Sequence, residues 1–349
     1  MTKQFRLNSL IRANVKAMKP YSSARDDYKG ISGDMTFLDA NENPFENGLN
    51  RYPDPQQSIL KMKLSELNNI PNDNILLGNG SDEVLDLIFR AFCDPGKDEV
   101  IIIRPTYGMY EVLANLNDVA IQEIFLDADF DININNIVNG MNMSTKILFL
   151  CSPNNPTGQS FTREKVERLL LKFNGLVVID EAYIDFSNQA SWLTRLNDFP
   201  NLIVTQTLSK AYGMAGIRLG ICYASKEIIS VLNRIKPPYN INTLTQQKAL
   251  ERLSKSKMVY DEIQKILMQR DRLSSQLNTI SFVENVFPSD ANFILVKVDN
   301  AQLRYDQLLK KQIVVRNRTN ESGCENCLRF TVGTETENEK LINALKQLT

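Results

Sequence analysis

The stretch Leu202-Ile-Val-Thr-Gln-Thr-Leu-Ser-Lys-Ala-Tyr-Gly-Met-Ala-Gly-Ile-Arg218 is the part of this 349-residue chain that decides its fold. Its first residues form an apolar run typical of a buried strand. Lys210 follows that strand, with Ser209 beside it and Arg218 further on. A lysine at the mouth of a strand, near a hydroxyl and a fixed cation, can hold an aldehyde as a Schiff base. The pattern alone also suits a surface lysine near an arginine. The neighbouring motifs must therefore decide between a Schiff-base lysine and a surface lysine.

Short apolar runs alternate with amphipathic stretches between about residues 75 and 225. The runs are continuous rather than alternating, as expected for strands that are covered on both faces. Helical patterns lie between them, at Asp82–Phe92 and Thr162–Leu171. Strands that alternate with helices predict an α/β fold with a mostly parallel sheet. The predicted strands are Glu99–Ile103, Lys146–Leu150, Leu176–Ile179, Leu202–Thr205 and Leu219–Tyr223.

The pattern changes at about residue 243, where one long polar helix is predicted up to residue 279. Helices to about Lys311 and from Glu335 to about Leu348 follow, with predicted strands at Ala291–Val298, Ile313–Arg316 and Leu328–Val332. We therefore expect three parts. They are an N-terminal arm (1–35) that packs on the small domain or a partner subunit, a large α/β domain (36–242) and a small α+β domain (243–349).

Composition excludes several classes of function. The 40 basic and 41 acidic residues leave a net charge of −1, which gives no electrostatic case for nucleic acid or an anionic membrane. No apolar run approaches the ~18–20 residues of a membrane span, and the N-terminus has no apolar signal core. We expect a cytoplasmic protein. The chain has no histidine, which excludes Ser-His-Asp triads, Cys-His pairs and histidine metal sites.

The five cysteines do not indicate a disulfide framework, because their number is odd and the chain is long. Cys324-Glu-Asn-Cys327 has the CxxC spacing of a zinc or redox site. A zinc site would need two more ligands, and the sequence contains no second CxxC. We therefore expect two reduced thiols in a loop before a strand, and no metal.

Three further motifs follow predicted strands. In Cys151-Ser-Pro-Asn-Asn-Pro-Thr-Gly158, Asn155 can present an amide to a ligand, although Asn-Pro and Pro-Thr-Gly also suit a rigid turn. In Val178-Ile-Asp-Glu-Ala-Tyr183, Asp180 ends a buried strand, where a carboxylate is costly unless it is paired. A protonated ring nitrogen would pair it, as would a salt bridge or a metal. Arg104-Pro-Thr-Tyr-Gly-Met-Tyr110 places Tyr107 where an aromatic ring could stack on a ligand or simply join the core.

A glycine-rich loop, Leu77-Gly-Asn-Gly-Ser-Asp82, leads directly into the first amphipathic helix. Exposed N–H groups and the helix dipole make such a start suitable for a phosphate, although Gly-Asn-Gly-Ser is also common turn chemistry. All of these motifs lie at the ends of predicted strands. Together they suit pyridoxal 5'-phosphate, which needs a Schiff-base lysine and an acid for its ring nitrogen.

With these motifs in place, the chain resembles the fold-type I aminotransferases over nearly its whole length, and within them the histidinol-phosphate aminotransferases. The Ser209-Lys210 pair with Arg218, and the Asn-Pro-Thr-Gly that ends at Gly158, are the motifs specific to the superfamily. The resemblance implies a large domain with a mostly parallel seven-stranded sheet and a small α+β domain. The motifs that narrow it to the branch are Asp39-Ala-Asn-Glu-Asn-Pro44, Arg51-Tyr-Pro53 and Pro237-Pro-Tyr-Asn240.

The resemblance also implies roles for single side chains. Lys210 would hold the cofactor aldehyde, Asp180 would bond the ring N–H, and Tyr107 would stack on the ring. Asn155 and Tyr183 would bond the ring hydroxyl oxygen. The cofactor phosphate would meet Ser81, Asp82, Ser209 and Arg218, together with Tyr52 from the partner subunit of a homodimer. The residues implied to contact substrate are Tyr21, Asn43, Arg316 and Arg329.

The function implied by the resemblance is transfer of the amino group of L-histidinol phosphate to 2-oxoglutarate, in histidine biosynthesis. A lyase similar to threonine-phosphate decarboxylase and an aromatic amino-acid aminotransferase are the nearest alternatives. A regulatory protein that uses this fold as a ligand sensor belongs to a different class. Such regulators carry a DNA-binding module ahead of the fold, whereas here the fold begins within about 35 residues and the chain is not basic.

Overall fold

The computed structural model describes residues 5–19 and 35–348. Its centre is a seven-stranded sheet in the order β1-β7-β6-β5-β4-β2-β3. Only β7 runs antiparallel to its neighbours, so the mostly parallel seven-stranded sheet that was predicted is confirmed. The strands are β1 (Ile75–Asn79), β2 (Glu99–Arg104), β3 (Ala120–Phe125), β4 (Thr145–Cys151), β5 (Leu176–Asp180), β6 (Leu202–Thr207) and β7 (Leu219–Ala224).

Helices cover both faces of this sheet, which explains the continuous apolar runs of its central strands. One core cluster contains residues of α3 (Ser58–Asn68), α6 (Ile134–Gly140) and α7 (Arg163–Lys172). The other contains residues of α4 (Ser81–Phe92), α5 (Met109–Leu116) and α8 (Lys226–Ile235). The edge strand β3 is mostly exposed, and its sequence does not show a continuous apolar run.

The described part of the N-terminal arm packs on the large sheet rather than on the small domain. It consists of two short helices, α1 (Leu7–Leu10) and α2 (Ala13–Ala17). Leu10, Ile11 and Val15 join the core cluster of α4 and α8, and Arg12 N donates to Ala91 O at 3.1 Å. Their apolar side chains are thereby removed from water, which stabilises the contact.

A second sheet of four strands, in the order β10-β11-β9-β8, forms the C-terminal part of the chain. The single long helix predicted from 243 to 279 is wrong in one respect, because Ser254 and Lys255 separate two helices. The strand predicted at Ile313–Arg316 is shorter and later, at Arg316–Asn317. The elements are α9 (Thr243–Leu253), α10 (Ser256–Leu277), β8 (Val283–Val286), β9 (Phe293–Val298), α11 (Ala301–Lys310), β10 (Arg316–Asn317), β11 (Cys327–Thr331) and α12 (Glu335–Lys346).

Helix α10 joins the two sheets. Val259 and Ile263 in its first half pack against Tyr183 and other residues that follow β5 and β6. Leu273 and Leu277 in its second half lie in the core of the small sheet. One helix therefore contributes to both hydrophobic cores. Within residues 5–19 and 35–348, no helix combines the length and apolarity needed to cross a bilayer.

Candidate active site

The motifs singled out in the sequence meet at one edge of the large sheet. The parallel strands β1, β2, β4, β5 and β6 all end there, and the antiparallel strand β7 begins there. In α/β sheets, ligands bind outside the carboxyl ends of the strands. Asp180 closes β5 directly beside Cys151, which closes β4. Because β7 starts at this edge, Arg218 comes next to the loop that precedes α4.

The loop between β1 and α4 forms a cradle that only glycine allows. Gly80 has a φ of +83°, and a Cβ built on it would lie 2.5 Å from Nη2 of Arg218. A Cβ on Gly220 would lie 2.3 Å from the backbone N of Ser81. The guanidinium and the first N–H groups of a twelve-residue helix therefore come together without a side chain between them. This arrangement suits a phosphate group.

Two side chains of the predicted set flank the cradle. Tyr107 Oη donates to Asp82 Oδ1 at 3.0 Å, and Arg218 Nη2 lies 3.5 Å from Asp82 Oδ2. Burial, followed by the charge of Asp82, raises the pKa of Tyr107. Tyr107 therefore remains a neutral ring and a hydrogen-bond donor at neutral pH.

Asp180 is a buried carboxylate whose contacts are hydrogen bonds. Only 3% of the residue is exposed. Tyr110 Oη donates to Oδ2 at 2.8 Å, and the backbone N–H of Ala182 donates to Oδ1 at 3.2 Å. No described lysine or arginine forms an ion pair with it. Burial raises the pKa of Asp180, while the bond from Tyr110 opposes that shift. A cationic N–H placed in the cavity would supply the missing partner charge.

Lys210 reaches the same cavity from the loop after β6. Its Nζ lies 5.6 Å from the centroid of the Tyr183 ring. Although the residue as a whole is exposed, desolvation lowers the pKa of its amine, and the positive charge of Arg329 lowers it further. Asp180 acts in the opposite direction. The lowered pKa increases the share of the neutral amine, which is the form that can bond to a carbonyl carbon or accept a proton.

Asn155 connects the large sheet to the small one. Its Nδ2 donates to Tyr183 Oη at 3.4 Å, and its Oδ1 accepts a hydrogen bond from Arg329 Nη1. The Arg329 guanidinium also lies 4.9 Å from the ring of Phe293. Burial, followed by the charge of Arg318, lowers the pKa of Arg329 to about 10, so that the side chain stays charged at neutral pH.

One face of the small sheet carries three arginines. Arg316 is paired in register with Arg329, and Arg318 N donates to Cys327 O, so these side chains alternate onto the same face. Arg318 was not identified from the sequence. Its Nη1 donates to Glu321 Oε1 at 2.6 Å. The opposite face, with Leu328 and other apolar residues, packs on α10 and α12.

Nine residues predicted from the sequence line a single cavity: Ser81, Asp82, Tyr107, Asn155, Asp180, Tyr183, Ser209, Lys210 and Arg218. Arg329 adjoins it through Asn155. Tyr52 and Asn43 lie elsewhere. Tyr52 is 53% exposed and stacks on Tyr239 at 4.6 Å, and Asn43 Oδ1 accepts from Phe45 N at 2.9 Å. Tyr21 lies outside the described residues.

Known proteins share this chain's sequence and fold along nearly its full length. The profile of the family "Aminotransferase class I and II" matches residues 29–345. A histidinol-phosphate aminotransferase of Flavobacterium johnsoniae is 60% identical over 345 residues, which is 99% of each chain. The chain belongs to the class I and II aminotransferases.

Solved structures of this aminotransferase family have the same architecture. The histidinol-phosphate aminotransferase from Clostridium acetobutylicum superposes with a TM-score of 0.79 at 28% identity, over 85% of this chain and 90% of that one. The enzyme from Sinorhizobium meliloti, solved in complex with pyridoxal-5'-phosphate, also gives a TM-score of 0.79, at 22% identity, over 85% of this chain and 82% of that one. The latter comparison bears on the fold alone.

The cavity of this aminotransferase fits pyridoxal phosphate. The glycine cradle under Arg218 has no Cβ that would block a phosphate. The buried carboxylate of Asp180 lacks an ion-pair partner among the described residues and suits a ring N–H. Lys210 forms no ion pair with the described residues and has a lowered pKa, as a lysine that bonds an aldehyde requires. Phosphate, ring and aldehyde ends of the cofactor thus each have a matching group.

Sequence reasoning missed several residues of the site. Cys151, Ala182 and Thr207 line the cavity, and Tyr110 lies behind it and contacts Asp180, although each of the four lies within or beside a motif that was quoted. Thr207 Oγ1 donates to Ser209 Oγ at 3.0 Å and accepts from Ser209 N at 3.1 Å, which orients the hydroxyl beside Lys210. Tyr110 follows Tyr107 in the quoted motif, at the start of α5, and this closeness in sequence is the signal that could have indicated the second tyrosine.

Proposed function

We propose that this aminotransferase transfers the amino group of L-histidinol phosphate to 2-oxoglutarate, giving imidazole acetol phosphate and L-glutamate. The observation that carries the reaction type is the meeting of Lys210, buried Asp180 and Arg329 around one cavity. The choice of substrate rests on 60% identity to an enzyme of that name over 99% of both chains. Together, the reaction type and the substrate correspond to one step of histidine biosynthesis.

Pyridoxal phosphate, when bound, supplies an aldehyde that captures amines and a ring that takes up the electron pair left when Cα loses its proton. Asp180 would keep the ring nitrogen protonated, since a buried carboxylate strongly favours a cationic neighbour. Arg218, Ser209 and the N–H groups at the start of α4 would hold the phosphate. Asn155 and Tyr183 would bond the ring oxygen, and Tyr107 would lie against the ring.

The chain's own general base is Lys210. Because its pKa is lowered, more of the amine is neutral than in an ordinary lysine, and the neutral amine can remove a proton from Cα and return it to a neighbouring carbon. Desolvation of the cavity also strengthens the interactions of this amine with neighbouring charges, because charges interact more strongly away from water. Removal of this amine should therefore eliminate turnover even if the cofactor remains bound.

The substrate end must accept two different anions. Histidinol phosphate has a phosphate and no carboxylate, whereas glutamate has two carboxylates and no phosphate. Arginine can bind either group through two parallel N–H donors. We propose that Arg329 serves both half-reactions, with Arg316, Tyr21 and Asn43 as further substrate contacts.

We also propose a homodimer in which Tyr52 reaches the phosphate of the partner's cofactor. Two features support this: Tyr52 is not among the residues that line its own chain's cavity, and its ring is half exposed. The division into an arm (1–35), a large domain (36–242) and a small domain (243–349) is part of the same proposal. A cytoplasmic location is consistent with five cysteines that are all unpaired.

The test is a visible absorption spectrum of the purified holoenzyme. A cofactor band should disappear when histidinol phosphate is added and return with 2-oxoglutarate. Borohydride reduction and peptide mapping should then label Lys210. An unlabelled Lys210 in active protein would refute the assignment. Release of CO₂ from threonine phosphate, without a need for 2-oxoglutarate, would instead support a threonine-phosphate decarboxylase-like lyase. Faster reaction with aromatic amino acids would support an aromatic aminotransferase.

A further inference from the structure

A second tyrosine, Tyr110, lies behind the proposed cofactor pocket and is fully buried. Tyr110 belongs to α5, the helix that follows β2. Asp180 ends β5, which lies two strands away from β2 in the sheet. The Tyr110 hydroxyl crosses this distance and donates to Asp180 Oδ2 at 2.8 Å. The reach of its side chain, rather than the backbone, brings the two residues together.

Packing fixes the ring of Tyr110 on two sides. Phe149 stacks on it with ring centroids 4.9 Å apart and an interplanar angle of 15°. Tyr107, whose hydroxyl binds Asp82 at the cradle, meets it edge to face at 5.6 Å and 87°. A ring that is held in this way cannot turn its hydroxyl toward water, so the bond to Asp180 is its stable arrangement. Through its contact with Tyr110, Tyr107, the residue proposed to stack on the cofactor ring, is also connected to Asp180.

The bond has a direct consequence for the carboxylate. Tyr110 and the backbone N–H of Ala182 donate to different oxygens of Asp180, which fixes the plane of the carboxyl group. Both donors favour the charged form and oppose the effect of burial on the pKa. An ionised carboxylate has about four acceptor sites, so capacity remains for an N–H from the cavity.

We propose that Tyr110 is a positioning residue, whose hydroxyl keeps the Asp180 carboxylate ionised and oriented toward the ring nitrogen of the bound cofactor. This inference rests on the proposed function, because it assumes that Asp180 meets that nitrogen. Tyr110 has no contact with substrate or cofactor in this arrangement and acts through Asp180. The geometry distinguishes it from Tyr107, which lines the cavity itself.

The test compares Tyr110→Phe with Tyr223→Phe. Tyr223, in β7, is also fully buried, and its hydroxyl accepts from Asn68 Nδ2 of α3 at 2.9 Å. Tyr223→Phe therefore removes one buried hydroxyl, as Tyr110→Phe does. Apoenzyme of each variant is titrated with pyridoxal phosphate, and Kd is measured between pH 5 and 9. For Tyr110→Phe, we expect Kd to rise roughly 10- to 100-fold, since bonds to charged groups are among the strong ones. The acid limb of the pH profile should move to higher pH, and kcat should fall.

A double-mutant cycle separates positioning from general packing. In the Asp180→Asn background, Tyr110→Phe should change Kd and kcat by less than about threefold, because the charge on which it acts has been removed. An equal loss in both backgrounds, or an unshifted pH profile with Kd unchanged, would overturn the inference. A loss of thermal stability in Tyr110→Phe that Tyr223→Phe shares would not count as support. If wild-type protein itself failed to bind pyridoxal phosphate, the proposed function would fail instead.

Discussion

At the scale of single residues, the site is defined by charges that are held away from water. Lys210, Asp180 and Arg329 each have a pKa moved by burial, in the direction that weakens their charged form. A neighbour opposes each of these pKa shifts: Asp180 for Lys210, Tyr110 for Asp180 and Tyr183 for Arg329. Perturbed titration of this kind clusters at functional sites, because the same desolvation that costs stability prepares groups for reaction.

Arg329→Lys should impair both half-reactions. Lysine keeps the charge but cannot form two parallel hydrogen bonds to a phosphate or carboxylate. We expect kcat/KM to fall by roughly 10²-fold for histidinol phosphate and for glutamate alike, in line with the loss of a bond between charged groups. Single-turnover absorbance measurements with each amine give both values. Arg195→Lys, at a surface ion pair, is the control and should change neither. A loss confined to one amine would show that Arg329 serves only that half-reaction.

Glu181, which follows Asp180 in the chain, should make the stability of the fold depend on pH. Burial raises its pKa to about 7, despite bonds from Ser191 and from the Trp192 N–H. The folded state therefore binds this proton more tightly than the unfolded chain does. The group's contribution to stability is complete below about pH 4.5 and is lost as pH rises through about 7, which amounts to about 3 kcal/mol.

Glu181→Gln removes that titration, so its thermal midpoint relative to wild type should rise between pH 5 and pH 8. Glu251→Gln, a surface substitution, serves as the control. Because the pKa of Glu251 lies at about 2, its difference from wild type should stay flat over this range. A flat difference for Glu181→Gln as well would contradict the assigned pKa.

At the scale of elements, the sequence predicted strands that show a continuous apolar run and missed those that do not. Strand β3 has only one buried residue, β8 has four residues of which none is buried, and β1, although buried, is interrupted by Gly78. None of these produces a long apolar run. The break between α9 and α10 has no glycine or proline to mark it. The site was predictable where its residues follow strands, whereas Tyr110 was not, because its contact with Asp180 depends on packing across three strands.

The pairing of β7 with β1 predicts a glycine that cannot be replaced. Gly220→Ala would place a Cβ 2.3 Å from Ser81 N and 2.4 Å from the Gly80 carbonyl carbon, which are backbone atoms that cannot rotate away. We expect a loss of about 1–3 kcal/mol of stability and at least tenfold weaker binding of pyridoxal phosphate. Thermal unfolding and cofactor titration measure these effects. Gly216→Ala, with no atom within 4 Å, is the matched control and should be neutral.

At the scale of the whole molecule, the proposed cavity is bounded by two units that share α10. The large sheet provides Lys210 and Asp180, the small sheet provides Arg329, and the first half of α10 packs beside Tyr183. The proposed substrate arginine and the proposed catalytic lysine are therefore held by different sheets. Any change in the angle between the units would alter the distance between these two groups.

The proposed dimer predicts complementation between two inactive variants. Tyr52→Ala lacks the residue donated to the partner, and Lys210→Ala lacks the general base. In a mixed dimer, one site combines an intact Lys210 with an intact Tyr52 from the other chain. Co-expression with two different tags should therefore restore activity to the doubly tagged dimer, at up to about half the wild-type rate per dimer. Inactive mixed dimers would show that Tyr52 acts within its own chain.

The five cysteines are all buried and unpaired, and they are divided between the two units. Cys93, Cys151 and Cys222 lie in the core of the large sheet, whereas Cys324 and Cys327 pack with Leu295 on the small sheet. Apart from Cys151, which lines the candidate cavity, an alkylating reagent can reach these thiols only when the structure around them opens. The rate at which each of these thiols is alkylated therefore reports how often the structure around it opens. Peptide-resolved alkylation rates, with and without cofactor, would time the opening of each half separately, without any introduced label.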